Sequence, residues 1–232
     1  MGVIRALVLD FDGIVVDSET THIAVWREAF RQHGCDFTVA EWSTCLGTQG
    51  GFDPARELRQ RSAVPVDPGT EARVHHRYQA MVRGRGLMPG VTDWLDHARE
   101  AGLGTAIASS SRADWVLPWL DEFDLRRRLG HVVCFDGSVP AKPEPDLYLA
   151  ACRALGARPH QAIAVEDSPN GVAAAVDAGL FCVAVTHVAT DPSASDRADL
   201  VLPSLAAMSL VDVIEIAAAR PAPDREVRAI RP

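Results

Sequence analysis

The stretch Ala6-Leu7-Val8-Leu9-Asp10-Phe11-Asp12-Gly13 decides the fold prediction, because an apolar run ends abruptly in two carboxylates and a glycine. A short, uninterrupted apolar run is typical of a strand that is buried on both faces, as in a parallel sheet. Side chains two apart on a strand point to the same side, so Asp10 and Asp12 share a face and Phe11 points away. Two carboxylates at one strand end predict a site for a metal ion or for proton transfer.

A second signal is the use of lysine, since only one of the 23 basic residues is a lysine. This residue, Lys142, lies in the segment Ala-Lys-Pro-Glu-Pro-Asp at 141–146. An ammonium is a compact point charge with a different use from a planar guanidinium. We therefore treat Lys142 as a candidate site residue, with a chance surface position as the alternative.

The composition limits the class of protein. With 232 residues, 47% of them apolar, the chain can form one large domain with a small insertion. A net charge of −8 and mostly scattered arginines argue against a nucleic-acid partner. The five cysteines form no Cys-x-x-Cys pair, which fits a reducing cytoplasm. The longest apolar stretch, 171–185, is interrupted by Asp177 and Gly179, so we predict no membrane association.

From about residue 87 onward, short Val-, Ile- and Ala-rich runs alternate with helical patterns. This alternation predicts an α/β fold, with a doubly wound, Rossmann-like parallel sheet as its core. The predicted strands are 4–10, 103–109, 131–135, 162–166 and 181–185, and the predicted helices are 90–101, 112–121, 144–155 and 169–178.

The first two predicted strands are separated by about 90 residues, far more than an ordinary crossover needs. Apolar residues at helical spacing, such as Ile23, Trp26 and Phe30, predict that the segment is helical. We predict an inserted helical domain at 18–84 and a core made of 1–17 and 85–219. The charged, Pro-rich tail at 220–232 is predicted to be disordered.

Polar side chains follow four of the predicted strands. Asp10 and Asp12 follow the first, Ser109 and Ser110 the second, Lys142 the third, and Glu166 and Asp167 the fourth. Ligands of open α/β sheets bind at the carboxyl ends of the strands, so we expect these groups to converge. Each motif also has a structural explanation: Asp12-Gly13 fits a turn, and both 109–111 and 167–169 fit helix N-caps.

The order of these motifs across residues 5 to about 185 resembles the haloacid dehalogenase-like hydrolase superfamily. The segments 10–19 (DFDGIVVDSE) and 166–172 (EDSPNGV) look most like the branch that contains β-phosphoglucomutase and phosphoglycolate phosphatase. In that branch a helical cap domain is inserted after the first motif. The resemblance therefore implies that 18–84 is such a cap.

The resemblance also implies a catalytic mechanism. Asp10 would be the nucleophile that forms an aspartyl-phosphate. Asp12 would protonate the leaving oxygen and then deprotonate the attacking water. A Mg²⁺ cofactor would be held by Asp10, the Asp12 carbonyl and Asp167, with Glu166 bound directly or through water.

The remaining core motifs would bind the phosphoryl group. By the same resemblance, Lys142 would neutralise its oxygens and the nucleophile. The Ser109 hydroxyl and the amides of Phe11 and Asp12 would donate hydrogen bonds to it. Ser110 is a further candidate phosphate-binding residue.

Two residues of the predicted cap are candidates for substrate binding. His22 lies where the branch places a histidine near the active-site mouth, and a solvated histidine on a helix surface is the alternative. Mutases of the branch carry an arginine after a Gly-rich turn, but the corresponding segment 46–52 has none. Arg56, on the following helix, is a candidate replacement.

We therefore expect a Mg²⁺-dependent phosphatase that acts on a small phosphate ester, a sugar or polyol phosphate. The alternative is a sugar phosphomutase of the β-phosphoglucomutase type, against which the missing arginine counts. A binding protein that has lost catalysis is poorly supported, because no motif is damaged. The expected assembly is a monomer or a weak homodimer.

Overall fold

The computed structural model describes residues 3–43, 52–186 and 196–220. The chain divides into two compact units. The core unit comprises the residues up to Val15 and those from Leu87 onward, and the inserted unit is Val16–Gly86. Apart from Arg220, the tail predicted to be disordered lies outside the described residues. The predicted domain limits at 18–84 and 85–219 stay predictions.

The inserted unit contains the helices α1 (Ser18–Gln32), α2 (Val39–Ser43), α3 (Pro54–Arg61) and α4 (Thr70–Arg85). The strands of the core unit are β1 (Ala6–Leu9), β2 (Gly104–Ser109), β3 (His131–Cys134), β4 (Ala162–Glu166), β5 (Phe181–Val185) and β6 (Leu200–Leu202). Its helices are α5 (Val91–Glu100), α6 (Ala113–Glu122), α7 (Asp146–Ala154), α8 (Pro169–Asp177) and α9 (Leu210–Ala219). Short 3₁₀ helices lie at Arg126–Arg128, Pro159–Gln161 and Leu205–Ala207.

The six strands form one parallel sheet in the order β3-β2-β1-β4-β5-β6. The predicted α/β fold with a parallel sheet and an inserted helical domain is confirmed. Strand β6 was not predicted, because three residues are too few to show a periodic pattern. In the part of the chain that the structure describes, each helix is too short or too polar to cross a membrane.

Helices cover both faces of the sheet. Ala6 and Val8 of β1 belong to a buried cluster that includes Leu147 of α7 and Val172 of α8. Successive side chains of a strand point to opposite faces, so the other residues of β1 face away from this cluster. Helix α5 contacts β2 and α9, and its buried side chains lie outside the cluster. The sheet is therefore doubly wound, as predicted.

The strand order reverses at β1, which lies between β2 and β4. From this point the strands follow each other outward to β3 on one side and to β6 on the other. Such a switch point leaves a crevice at the carboxyl ends of the two central strands, where open α/β sheets bind ligands. The register places Asp10 beside the end of β4, and its backbone N–H donates to the Val165 carbonyl at 2.9 Å. Asp10 and Glu166 are thereby neighbours.

The inserted unit has its own interior. Helix α1 packs on α4, and the rings of Phe30 and Phe37 meet edge to face with centroids 4.9 Å apart. Asp17 caps α1 by accepting from the Thr20 N–H at 3.2 Å. Asp53 caps α3 in the same way, since its Oδ1 accepts from the Ala55 N–H at 3.0 Å.

A substitution at Gly90, the residue just before α5, tests how closely the start of that helix approaches the backbone at Leu205 and Ala206. Its φ is +90°, and a Cβ there would lie 2.4 Å from the Ala206 backbone nitrogen. Gly102 is a matched control, because its φ is +69° but no described atom lies within 4 Å of the position that its Cβ would take. We expect Gly90→Ala to lower the free energy of unfolding by about 2 kcal/mol more than Gly102→Ala, since only the former adds a steric clash. Urea unfolding measures both, and equal losses would contradict the close approach.

Candidate active site

A buried ammonium bridges two buried carboxylates at the carboxyl ends of β1 and β4. Lys142 Nζ donates to Asp10 Oδ1 and to Glu166 Oε1, both at 2.6 Å. The three side chains are 5%, 10% and 0% exposed, respectively. The lone lysine is therefore not a chance surface residue. Burial of this kind requires mutual pairing, because an isolated charge is strongly disfavoured away from water.

Two further contacts hold this group in place. Lys142 lies in the connection between β3 and α7, and its backbone N–H donates to Ser110 Oγ at 3.2 Å. The Tyr148 hydroxyl, from α7, donates to Glu166 Oε1 at 2.7 Å. Sequence reasoning missed Tyr148, although its position in an otherwise apolar helix face was a possible signal. Burial and the nearby Glu166 raise the pKa of Tyr148 well above its usual range, which keeps it a donor.

The charges of the group depend on one another. Burial, opposed by Lys142 and reinforced by Glu166 and Asp12, raises the pKa of Asp10 above its usual range. Burial alone would lower the pKa of Lys142, but Asp10 and Glu166 more than offset this and raise it. Lys142 is thus positively charged at neutral pH. Additional positive charge at the site would favour the ionised form of Asp10.

Three carboxylates form a set that fits a metal ion. Asp10, Glu166 and Asp167 each offer an oxygen, and these oxygens lie within 4.8 Å of one another. Carboxylate oxygens are the ligands that Mg²⁺ and other hard cations prefer. A Cβ on Gly13 would lie 1.9 Å from Asp167 Oδ2, and one on Gly171 would lie 1.9 Å from the Glu166 carboxyl carbon. Glycine at both positions leaves room for the carboxylates, and the donor set fits a hard divalent cation.

Asp12 lies in a different environment from Asp10. Its carboxylate is half-buried, and it accepts a hydrogen bond on each oxygen. Ser111 Oγ donates to Oδ2 at 2.6 Å, and Trp115 Nε1 donates to Oδ1 at 3.0 Å. Sequence reasoning missed both donors, because they come from the loop after β2 and from α6, about a hundred positions along the chain.

The three serines at 109–111 do not cap the following helix. Helix α6 begins after Arg112, which makes no side-chain cap, so the N-cap explanation of 109–111 is wrong. Ser109 is buried, and its Oγ accepts from the Ser111 N–H at 3.0 Å. The cap explanation of 167–169 holds only for Ser168, whose Oγ accepts from the Gly171 N–H at 3.0 Å.

The structure brings together the predicted core residues at the carboxyl end of the sheet. These are Asp10, Phe11, Asp12, Ser109, Ser110, Lys142, Glu166 and Asp167. The two remaining candidates, His22 and Arg56, belong to the inserted unit. Arg56 is exposed and pairs with Glu57 at 3.5 Å. The Gly-rich segment 46–52, which the mutase comparison concerned, lies outside the described residues except for Phe52.

His22 is not a solvated surface histidine, so that alternative is wrong. Its ring lies 5.2 Å from Trp42 and 4.7 Å from Tyr78, measured between ring centroids. Its Nε2 faces the Trp26 indole N–H, which donates at 3.2 Å. Burial, with a smaller contribution from His75, lowers the pKa of His22 to about 4.

This chain is similar in sequence to known proteins. The family model of haloacid dehalogenase-like hydrolases matches residues 4–179. YhcW of Bacillus subtilis (strain 168), which is named as a phosphatase, is 32% identical over 213 residues, which cover 91% of this chain and 97% of that protein. A β-phosphoglucomutase of Mycobacterium bovis (strain ATCC BAA-935 / AF2122/97) is 29% identical over 212 residues, which cover 78% of this chain and 80% of that protein.

A solved structure is also similar. It is the crystal structure of a CbbY mutant from Rhodobacter sphaeroides in complex with xylulose-1,5-bisphosphate. The sequences are 28% identical, the TM-score is 0.66, and the match covers 90% of this chain and 98% of that chain.

The half-buried His22, packed against Trp42 and Tyr78, predicts how stability responds to acid. The lowered pKa of His22 means that its contribution to folding is fully present above the unfolded pKa of 6.5 and is lost as the pH falls toward 4. This loss amounts to about 3 kcal/mol between pH 7 and pH 4. We expect His22→Phe to remove that part of the pH dependence. Urea unfolding of both proteins across this range measures it, and identical pH profiles would contradict a lowered pKa of His22.

The buried ion pairs predict a strong effect of removing the lysine. Lys142→Met leaves Asp10 and Glu166 buried without their cation, and we expect a loss of about 3–5 kcal/mol in the free energy of unfolding. Adding Asp10→Asn to this variant should recover part of the loss, because the amide neither carries a buried charge nor has to take up a proton on folding. Urea unfolding in the presence of a chelator measures all three variants. A double variant less stable than Lys142→Met would contradict this electrostatic coupling.

Proposed function

Because this chain belongs to the haloacid dehalogenase-like hydrolase family, we propose that it is a Mg²⁺-dependent phosphatase of a sugar or polyol phosphate, acting through an aspartyl-phosphate on Asp10. The family match confirms the predicted resemblance, and the relative named as a phosphatase supports a phosphoric monoester hydrolase. The observation that carries the proposal is the buried carboxylate of Asp10, which is paired with Lys142 and lies beside Glu166 and Asp167.

Asp10, Glu166 and Asp167 would hold the cation. When bound, Mg²⁺ supplies positive charge that offsets the repulsion between an anionic nucleophile and an anionic phosphate. The Asp12 carbonyl stays a predicted fourth ligand. Lys142 contributes a second, permanent positive charge, since it binds Asp10 and Glu166 directly.

The first chemical step transfers the phosphoryl group to the enzyme. An oxygen of Asp10 forms a bond to phosphorus while the bond between phosphorus and the ester oxygen breaks. Asp12 gives its proton to the departing oxygen, so the product leaves as an alcohol. Ser109 accepts from the Ser111 N–H, and its own hydroxyl proton suits it to donate to a phosphoryl oxygen.

The second step returns the enzyme to its starting state. Water attacks phosphorus, the bond between Asp10 and phosphorus breaks, and inorganic phosphate leaves. The carboxylate of Asp12 takes the proton from the attacking water and is ready for the next cycle. Lys142 again neutralises the carboxylate of Asp10 as it re-forms.

The substrate class rests on the relatives and on the inserted unit. The similar CbbY mutant binds a sugar bisphosphate, which supports a phosphorylated sugar or polyol for this chain. His22 and Arg56 stay candidate substrate-binding residues of the predicted cap. A cytoplasmic location and a monomer or weak homodimer are part of the same proposal.

A second candidate is a sugar phosphomutase. It is supported by the similarity to a β-phosphoglucomutase over 78% of this chain. In that reaction the aspartyl-phosphate returns its phosphoryl group to a sugar rather than to water. The phosphatase is favoured, since segment 46–52 lacks the arginine that mutases of this branch carry after their Gly-rich turn.

The test is phosphate release from a panel of sugar, polyol and glycolate phosphates, with and without Mg²⁺. We expect release that depends on Mg²⁺ and that Asp10→Asn lowers by about 10³-fold or more, since an amide is a far weaker nucleophile. Asp177→Asn is the matched control, because Asp177 is exposed on α8 and pairs with Arg197. This control should keep wild-type activity.

The same assay separates the alternatives. β-Glucose 1-phosphate belongs in the panel, with a sugar bisphosphate as primer and glucose 6-phosphate measured in parallel. Glucose 6-phosphate without phosphate release would replace the phosphatase with the mutase. Full activity of a folded Asp10→Asn variant would overturn the aspartyl-phosphate mechanism altogether.

A further inference from the structure

We infer that Trp115 and Ser111 are positioning residues that fix the carboxyl of Asp12 for proton transfer to the leaving group. The inference rests on the proposed function, in which Asp12 is the general acid and base. It adds two residues, from the loop after β2 and from α6, whose side chains reach a single carboxylate.

Hydrogen bonds fix the Asp12 carboxylate at both of its oxygens. Trp115 Nε1 donates to Oδ1 at 3.0 Å and Ser111 Oγ donates to Oδ2 at 2.6 Å. One hydrogen bond leaves a carboxyl group free to rotate about its terminal torsion. Two bonds from separate elements, one on each oxygen, define the plane of the group.

The chemistry of the donors suits this role. An indole N–H only donates, so Trp115 cannot accept the proton that Asp12 must deliver to the substrate. Each carboxylate oxygen has about two lone-pair sites, and each accepts one hydrogen bond from these donors. A site therefore stays available on each oxygen to carry the transferable proton. As donated bonds, the two contacts orient the acid and leave a lone pair on each oxygen for its proton.

Both donors are themselves held. The indole of Trp115 packs edge to face on Trp119, with centroids 5.7 Å apart and an angle of 71° between the rings. Trp119 is buried and stacks on Phe123. The Ser111 N–H donates to Ser109 Oγ at 3.0 Å, and the Ser111 carbonyl accepts from the Phe135 N–H at 3.2 Å. The donors are thus fixed to the end of β2 and to the interior of the core unit.

This role predicts a selective kinetic effect. An alkyl phosphate needs a proton on its departing oxygen, whereas p-nitrophenyl phosphate releases a stabilised anion that needs none. The value of kcat/KM reports the steps up to departure of the leaving group, before water is activated. Loss of positioning should therefore lower kcat/KM for the alkyl ester and spare it for the aryl ester.

The experiment compares p-nitrophenyl phosphate with the alkyl phosphate that the wild type hydrolyses fastest. We expect Trp115→Phe to lower kcat/KM about 10-fold for the alkyl ester and less than about twofold for the aryl ester, a fraction of the 10²–10⁴ that general acid catalysis supplies. Ser111→Ala should act in the same direction, and Ser111→Thr, which keeps the hydroxyl, should restore the ratio. Asp12→Asn should give the largest difference between the two esters.

Trp94→Phe is the matched control, because it makes the same change at an indole on α5, a helix without site residues, and removes a hydrogen bond that Trp94 Nε1 donates to the Leu205 carbonyl at 2.9 Å. It should leave the ratio of the two kcat/KM values at the wild-type level, even if it lowers the melting temperature. Equal losses on both esters in Trp115→Phe, or no loss on either, would overturn the positioning role alone. A wild type that hydrolyses neither ester would overturn the proposed function and, with it, the premise of the inference.

Discussion

The ammonium of Lys142 between the carboxylates of Asp10 and Glu166 is the interaction on which the site depends. Two buried carboxylates repel each other and lose their hydration, so they are stable as neighbours only with a cation between them. The compact ammonium reaches both at hydrogen-bond distance, and its pKa is raised by the same two partners. This explains why a chain with 23 basic residues uses its single lysine here.

The sheet topology brings these groups together. β1 and β4 are adjacent at the switch point, so Asp10 and Glu166 meet although they lie far apart in sequence. Gly13 and Gly171 leave the space that the carboxylates of Asp167 and Glu166 occupy, where any Cβ would overlap with them. The result is a dense group of charges at the carboxyl end of the sheet, and its donor set suits a hard cation.

The two acids of the first motif differ because their surroundings differ. Asp10 is buried and faces an ammonium, whereas Asp12 is half-buried and is bound by two neutral donors, Ser111 and Trp115. Two neighbouring carboxylates with such different contacts are suited to different chemical roles. In the proposed mechanism a paired, oriented carboxylate attacks phosphorus, and one that is held by neutral donors exchanges protons.

The sequence by itself determined the parallel sheet, the inserted helical unit and the motif residues Asp10, Lys142 and Glu166, because buried strands and the polar residues that end them are local patterns. It missed β6, which is too short for a pattern, and it left His22 open between a site and a solvated surface. The tertiary structure alone decided that His22 is packed among aromatic rings, that Tyr148 binds Glu166, and that Trp115 binds Asp12. These contacts join residues from different elements, and the partner of a side chain across such distances follows from packing rather than from any spacing along the chain.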